Sequence, residues 1–489
     1  MGILFFLSML PILYCSFFDY ATGDDLIHGA IVHNAIKNGI PFFEMMGEIF
    51  YRIHAIYYSF QGNWATLFVC CFEPSVFGER MYFLTPLIAI ISLCGGTAYL
   101  LYEFLVHWCG MRKQVYFILF CITDFFLIQY MITPRAGIYW YSGMMHYTFP
   151  FGLALYSTAW VLKFLSSGKK RYLIYTIIGM TYIGGAGYPA VVLSIVLLFL
   201  FLISSLFNPV LEEKKRILYL FIPLVLLLAG FAVSALAPGN KIRGGSDFGF
   251  SSSRVLSTLI NSISAGFHYD LSYLYNVRPM FLMILAEIVV ELDQIDIQRS
   301  KLHFSHPITA VIISFLVTCS VHAPELYAGD DVQAGISGGV YNSYYFVFAI
   351  AVFFAVFYLC GWIKTKNPNV ECIAQKIRFP FVIFTLLFCL VLGKHLVGNT
   401  VDFTCMEFIS SGQLSDFESQ MQERLAILNT DDKNVVVPEM NNEQGPFMHM
   451  ALMRDPAEYT NRATEAFYDK DTVIAIPRDE YYKKIKAEQ

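Results

Sequence analysis

Residues 341–362 read YNSYYFVFAIAVFFAVFYLCGW, 22 positions without one charged side chain. A helix of about 20 such residues crosses the hydrocarbon core of a bilayer. Apolar runs of comparable length recur near 3–18, 81–106, 114–132, 144–165, 172–187, 189–207, 217–236, 278–292, 305–322 and 379–397. Composition agrees with them. Of 489 residues, 56% are hydrophobic and 15% charged, against roughly 25% charged in soluble domains. The pattern predicts an all-α polytopic membrane protein with about eleven transmembrane helices. Runs 172–187 and 189–207 meet at Gly184-Gly185-Ala186-Gly187-Tyr188-Pro189 and read as two helices with a tight turn, a single broken helix being the rival.

The short linkers set orientation. Segments 107–113, 163–171, 208–216, 293–304 and 363–378 hold 15 Lys or Arg in 53 residues, and the alternate segments 19–80, 133–143, 187–189, 237–276 and 323–340 hold 7 in 134. Positive charge stays on the cytoplasmic side. The N-terminus is therefore expected inside. The loops 19–80 and 237–276 and everything after about 398 are expected outside. The first run has no basic stretch ahead of it, so it reads as a helix rather than a signal peptide.

Two parts follow: a transmembrane domain, 1–397, and an extracytoplasmic C-terminal domain, 398–489. The second has helical stretches near Leu414–Leu428 and Pro456–Tyr468 and strand-like Val435–Pro438 and Thr472–Ile476, a small α/β region. A net charge of -5 speaks against a nucleic-acid partner. The 11 cysteines form no CxxC pair and most lie in apolar runs, as buried thiols do.

Outer loop 19–80 carries the most information. After Asp24 and Asp25, the residues Leu26, Ile27, Ala30, Ile31, Ala35 and Ile36 recur at helical spacing, which predicts an amphipathic helix on the membrane surface. A second is expected near Gly47–Phe60. Asp24 and Asp25 have two readings, an N-cap for that helix or a general base whose partial desolvation raises its pKa. His28 shares their helix face and His33 is nearby. Asp-Asp-x-x-His is a weak metal pattern with nothing to complete a ligand set, so His28 is at most a metal candidate and no resident metal is expected. Lys241 and Arg243 sit on the side where cations are disfavoured, next to glycines. They read as a phosphate site or as lipid-headgroup contacts. Arg135 could join them. Trp64 and Trp140 are candidates for stacking on a sugar, with interfacial belting the plainer reading. Gln61 and His146 complete the candidate substrate-binding set.

Several short stretches, in order, resemble one family. They are Gly23-Asp24-Asp25, Gln61-Gly62-Asn63-Trp64-Ala65, Pro74-Ser75-Val76-Phe77-Gly78-Glu79, Tyr139-Trp140-Tyr141-Ser142-Gly143, Ala237-Pro238-Gly239-Asn240 and, in the tail, Asp455-Pro456, Asn461 and Phe467-Tyr468. With an acidic pair after the first helix and an outer C-terminal domain, the chain resembles the GT-C glycosyltransferases, most nearly a family of bacterial polytopic membrane proteins close to the GtrII-like glucosyltransferases. The resemblance implies a GT-C-like core in the bacterial inner membrane. It implies a polyprenyl-phosphate-linked sugar as donor and a glycan or other hydroxyl as acceptor. The transfer would be inverting, with Asp24 or Asp25 as base and Arg243, Lys241 and Arg135 toward the lipid phosphate. The chain departs from better-known relatives in having no second acidic motif in later outer loops beyond Asp330-Asp331. Two other functions stay open: an outer-leaflet glycan polymerase or ligase, and a lipid-sugar transporter or flippase.

Overall fold

The computed structural model describes residues 2–207, 214–244, 251–277, 279–328 and 338–488. Helix makes up 77% of the molecule, and the one sheet among the described residues has two strands. The all-α expectation is met. Among the described residues, three helices are long and apolar enough by length and composition to cross a membrane: Glu79–Trp108, Arg216–Ala235 and Gly338–Lys366. A fourth arises if Ser252–Asn276 and Met280–Gln294, which meet at 90°, form one broken span. Other apolar runs form shorter helices, such as α1 (Gly2–Ser16) and Pro307–Ser320. At 15 and 14 residues these fall below the roughly 17 a span tolerates.

Runs 172–187 and 189–207 fold as two helices, Lys170–Gly184 and Tyr188–Phe207, as expected. The segment 237–276 does not form a loop. It contains a short helix, Pro238–Gly244, and the 25-residue helix Ser252–Asn276. On the longer helix Leu256, Leu259, Ile260, Ile263 and Phe267 are exposed, while Thr258, Ser262 and Gly266 are buried. Its apolar stripe faces out and its polar face packs inward, the reverse of a helix folded in water. Its Ser, Thr and Asn positions interrupt the uniformly apolar run that marks a span in the sequence. Glu103 is buried and paired with Lys163 (2.5 Å) and His107 (2.7 Å).

The helix after the acidic pair is α2 (Asp24–Lys37), and the second amphipathic helix is α3 (Phe42–Ser59). α2 does not present its apolar face to lipid. The C-terminal helix Tyr459–Tyr468 packs along it, with Asn34 Nδ2 donating to the Ala466 carbonyl (2.9 Å) and the His33 ring stacked on Phe467 at 4.1 Å. The C-terminal region has the expected helix Gln413–Leu428 and two parallel strands, β1 (Asn434–Pro438) and β2 (Thr472–Ile476), joined through Tyr459–Tyr468. Alternating Val435, Val437, Val473 and Ala475 are buried, the period of two that marks a strand with one covered face. An Arg80–Glu418 ion pair (2.5 Å) and bonds from Asn429 and Tyr468 to Glu79 fasten this region to the segment just before the helix Leu84–Leu101.

Candidate functional site

α2 starts directly at Asp24. Its N-cap is Gly23, at φ 50°, where a Cβ would be strained and would collide with the Met450 sulfur. Met450 is held there by its backbone N–H, which donates to Thr22 Oγ1 (2.9 Å). Neither aspartate caps the helix through its side chain. Both sit in the first turn, where the exposed amides favour negative charge.

The two carboxylates have opposite surroundings. Asp25 is fully buried. Its Oδ1 accepts from the Ser142 backbone N–H (2.8 Å) and Oγ (2.6 Å), and its Oδ2 accepts from Tyr82 Oη (2.5 Å). Burial outweighs these bonds and pushes its pKa up to about 6. Asp24 is half-buried and accepts one bond, from Tyr459 Oη of the C-terminal region (2.5 Å).

Ser142 also reaches His146, its backbone carbonyl lying 2.7 Å from Nδ1. A carbonyl only accepts, so Nδ1 carries a proton and donates it to Ser142, which leaves Nε2 as the second ring nitrogen. One short helix, Tyr141–His146, thus orients both Asp25 and His146. His28 has a buried Nδ1 with no hydrogen-bond partner among the described residues. Burial, then the charges of Arg52 and His146, lower its pKa to about 3, so the ring is neutral. Among the described residues no three His, Cys, Asp or Glu side chains are grouped to hold a metal ion.

Sequence reasoning missed two further groups. Arg52, on α3, is half-buried, and its charge acts on both His28 and the Tyr459 hydroxyl that binds Asp24. Its Nε is buried without a hydrogen-bond partner among the described residues. A lone arginine in an aromatic helix was the available signal. Glu73 lies buried beneath α2, bonded to Ser75 through its backbone N–H (2.8 Å) and hydroxyl. Burial and the Asp25 charge push its pKa up to about 8. A Cβ at Gly29 would lie 2.8 Å from Glu73 Oε1, which accounts for a glycine inside α2. Asp19, also buried, is raised for the same first reason.

The other candidates are spread around this centre. The Trp64 indole N–H donates to the Gly230 carbonyl (3.4 Å), and its ring abuts Gly185. Gln61 follows α3, and its backbone packs against Gly239 of the Pro238–Gly244 helix. Asn240 of that helix donates to the Ser234 (2.8 Å) and Ala235 (3.2 Å) carbonyls, finishing the helix before it. Lys241 is exposed, with no ion pair to either aspartate among the described residues. The Arg243 backbone is helical; its side chain, like Asp330-Asp331, lies outside the described residues. Arg135 is exposed and donates twice to the Gly445 carbonyl (3.3 and 2.9 Å), tying down the C-terminal region. Trp140 is half-buried beside Gly143, with its indole N–H enclosed and unpartnered among the described residues. α3 packs against α2 and also against Pro238–Gly244, so a single helix connects the acidic and basic groups.

No protein-family model matches the chain, and no curated protein and no solved structure matches it.

Proposed function

We propose that this is a membrane glycosyltransferase that moves a sugar from a polyprenyl-phosphate carrier to a cell-surface glycan or other hydroxyl acceptor at the outer leaflet. In this reading the chain crosses the bacterial inner membrane about eleven times with a GT-C-like core. Its N-terminus is cytoplasmic and residues 398–489 are extracytoplasmic. The outward apolar stripe of Ser252–Asn276 and the exposed Ile3, Leu7 and Leu10 of α1 support a hydrocarbon surrounding.

One observation carries the catalytic reading: two adjacent carboxylates, one locked and one reachable. A general base must approach the proton it removes. Asp24 can do so, whereas both Asp25 oxygens are occupied. Asp24 takes the proton of the acceptor hydroxyl, whose oxygen forms a bond to the anomeric carbon as the bond to the carrier phosphate breaks. Charge grows on the leaving phosphate, and nearby cations stabilise it. Arg52, whose charge acts on the Tyr459 hydroxyl that binds Asp24, joins Lys241 and Arg243 in that role. Asp25 is a positioning residue that ties the first turn of α2 to Ser142 and His146.

The test is transfer from a polyprenyl-phosphate sugar by full-length protein in vesicles. Asp24→Asn should lose on the order of 10²-fold or more in rate, with an unchanged unfolding temperature. Normal transfer by the Asp24→Asn protein refutes the assignment. A transport reading has one observation in its favour. Glu287 and Glu291 are fully buried one turn apart, and none of their four oxygens has a hydrogen-bond partner among the described residues. Vesicle transport of the lipid-linked sugar without transfer would favour that reading.

A further inference from the structure

A cavity of about 720 Å³ lies away from the carboxylates, between the helices Thr148–Ser167, Tyr188–Phe207, Pro307–Ser320 and Gly338–Lys366. Along the first of these its wall is Phe151, Leu155, Thr158, Leu162 and Leu165, one continuous helical stripe. At 1.5 Å per residue the stripe runs roughly 21 Å, longer than half of a hydrocarbon core of about 30 Å. The shape is that of a chain, not of a compact solute.

Polarity changes along it. At the end marked by Ser166 the lining includes Arg216 and Lys301, and among the described residues no acidic side chain lines the cavity. Both cations are held in place. Arg216 Nη1 donates to the Leu165 (3.1 Å) and Ser166 (3.4 Å) carbonyls. Gly168, at φ 66°, makes room for its guanidinium, which a Cβ would approach to 2.7 Å. The Lys301 ammonium lies 5.8 Å from the Trp108 ring centre, and its backbone N–H donates to the Trp108 carbonyl (2.9 Å). The result is an apolar trough with two positive charges at one mouth.

We propose that this trough binds an anionic glycerophospholipid. One acyl chain lies along the stripe, and the phosphate sits between Arg216 and Lys301. Charge complementarity selects an anionic head, and the length of the trough selects a long chain. Position argues against the polyprenyl-phosphate donor. The helix Thr148–Ser167 begins two residues after His146 and ends beside the cations, so the mouth lies roughly 30 Å from the carboxylates. A donor phosphate held there could not present its sugar to Asp24.

The experiment is native mass spectrometry of the full-length protein purified in mild detergent and washed free of loose lipid. The wild type should retain one glycerophospholipid. The Arg216→Gln/Lys301→Gln double variant should retain about a hundredfold less, since each of the two charge-assisted bonds contributes on the order of tenfold. Leu155→Trp, which fills the trough without touching the cations, should show the same loss. In re-addition, dioleoylphosphatidylglycerol should be retained about tenfold better than dioleoylphosphatidylcholine. A second readout needs no variant: phosphatidylglycerol should raise the unfolding temperature of delipidated wild type, and phosphatidylcholine should not. Equal retention of the two lipids overturns the proposal. So does retention that survives both variants, or a preference for undecaprenyl phosphate.

Discussion

Asp25 holds its charge at a cost, and that cost is measurable. Its folded pKa of about 6 stands above its ordinary value of 3.8, and that of Glu73, about 8, stands above 4.5. In both cases the folded state keeps a proton that the unfolded chain releases, so stability falls as pH rises through the window. For Asp25 the loss is complete above about pH 6 and is on the order of 3 kcal/mol. His28 and His449, both lowered to about 3, act in the opposite sense below about 6.5, so the comparison must be with variants. Asp25→Asn keeps an acceptor for Ser142 and puts an NH2 donor where the carboxylate accepted from Tyr82, whose hydroxyl proton can turn to the Tyr139 carbonyl. Its unfolding temperature relative to wild type should climb between pH 4 and 6. That of Glu73→Gln should climb between about 4.5 and 8. A falling difference in either window would show that the carboxyl is not buried as described. The acidic pair was visible in the chain, but which member is reachable was not. That is decided by Ser142 and Tyr82, 117 and 57 positions away from Asp25.

The entrance to α2 depends on glycine and on the C-terminal region together. Gly23→Ala introduces a strained φ and a clash with Met450. It should cost about 1–3 kcal/mol, read as a lower unfolding temperature. Adding Met450→Ala should recover only the clash component. Recovery to the wild-type value would mean that φ 50° carries no penalty. Tyr459→Phe removes the hydrogen bond that reaches Asp24 from the C-terminal region. It should change transfer rate more than stability, because the hydroxyl is near the surface and the ring stays. The period of the apolar residues was enough to foresee α2, α3, β1 and β2. It failed for Ser252–Asn276, where Ser and Thr occupy the inner face and the outer face is apolar. A water-based rule reads such a segment as a loop.

The whole chain makes the C-terminal region a roof over α2 rather than an appendage. Tyr20 Oη reaches Glu418 (2.8 Å), Arg135 reaches Gly445, and Tyr459 reaches Asp24. Ending the chain at residue 397 should therefore uncover the apolar face of α2, lower the unfolding temperature and abolish transfer even though 24 and 25 are intact. Full activity of that truncated chain would contradict the roof. A phosphatase reporter fused after residue 488 should be active outside the cytoplasm. An inactive phosphatase with a fluorescent cytoplasmic reporter at the same point would reverse the orientation.

Composition and the spacing of apolar residues were sufficient for a helical chain with a small α/β end, since burial of apolar surface and backbone pairing are local in period. They also marked Gly23-Asp24-Asp25 as chemically unusual. Only the packed molecule could separate a locked carboxylate from an accessible one, bring Arg52 and Glu73 into their company, and turn Arg135 into a tether. Those outcomes depend on dielectric surroundings and on partners far apart in the chain, and neither is written in any single stretch of it.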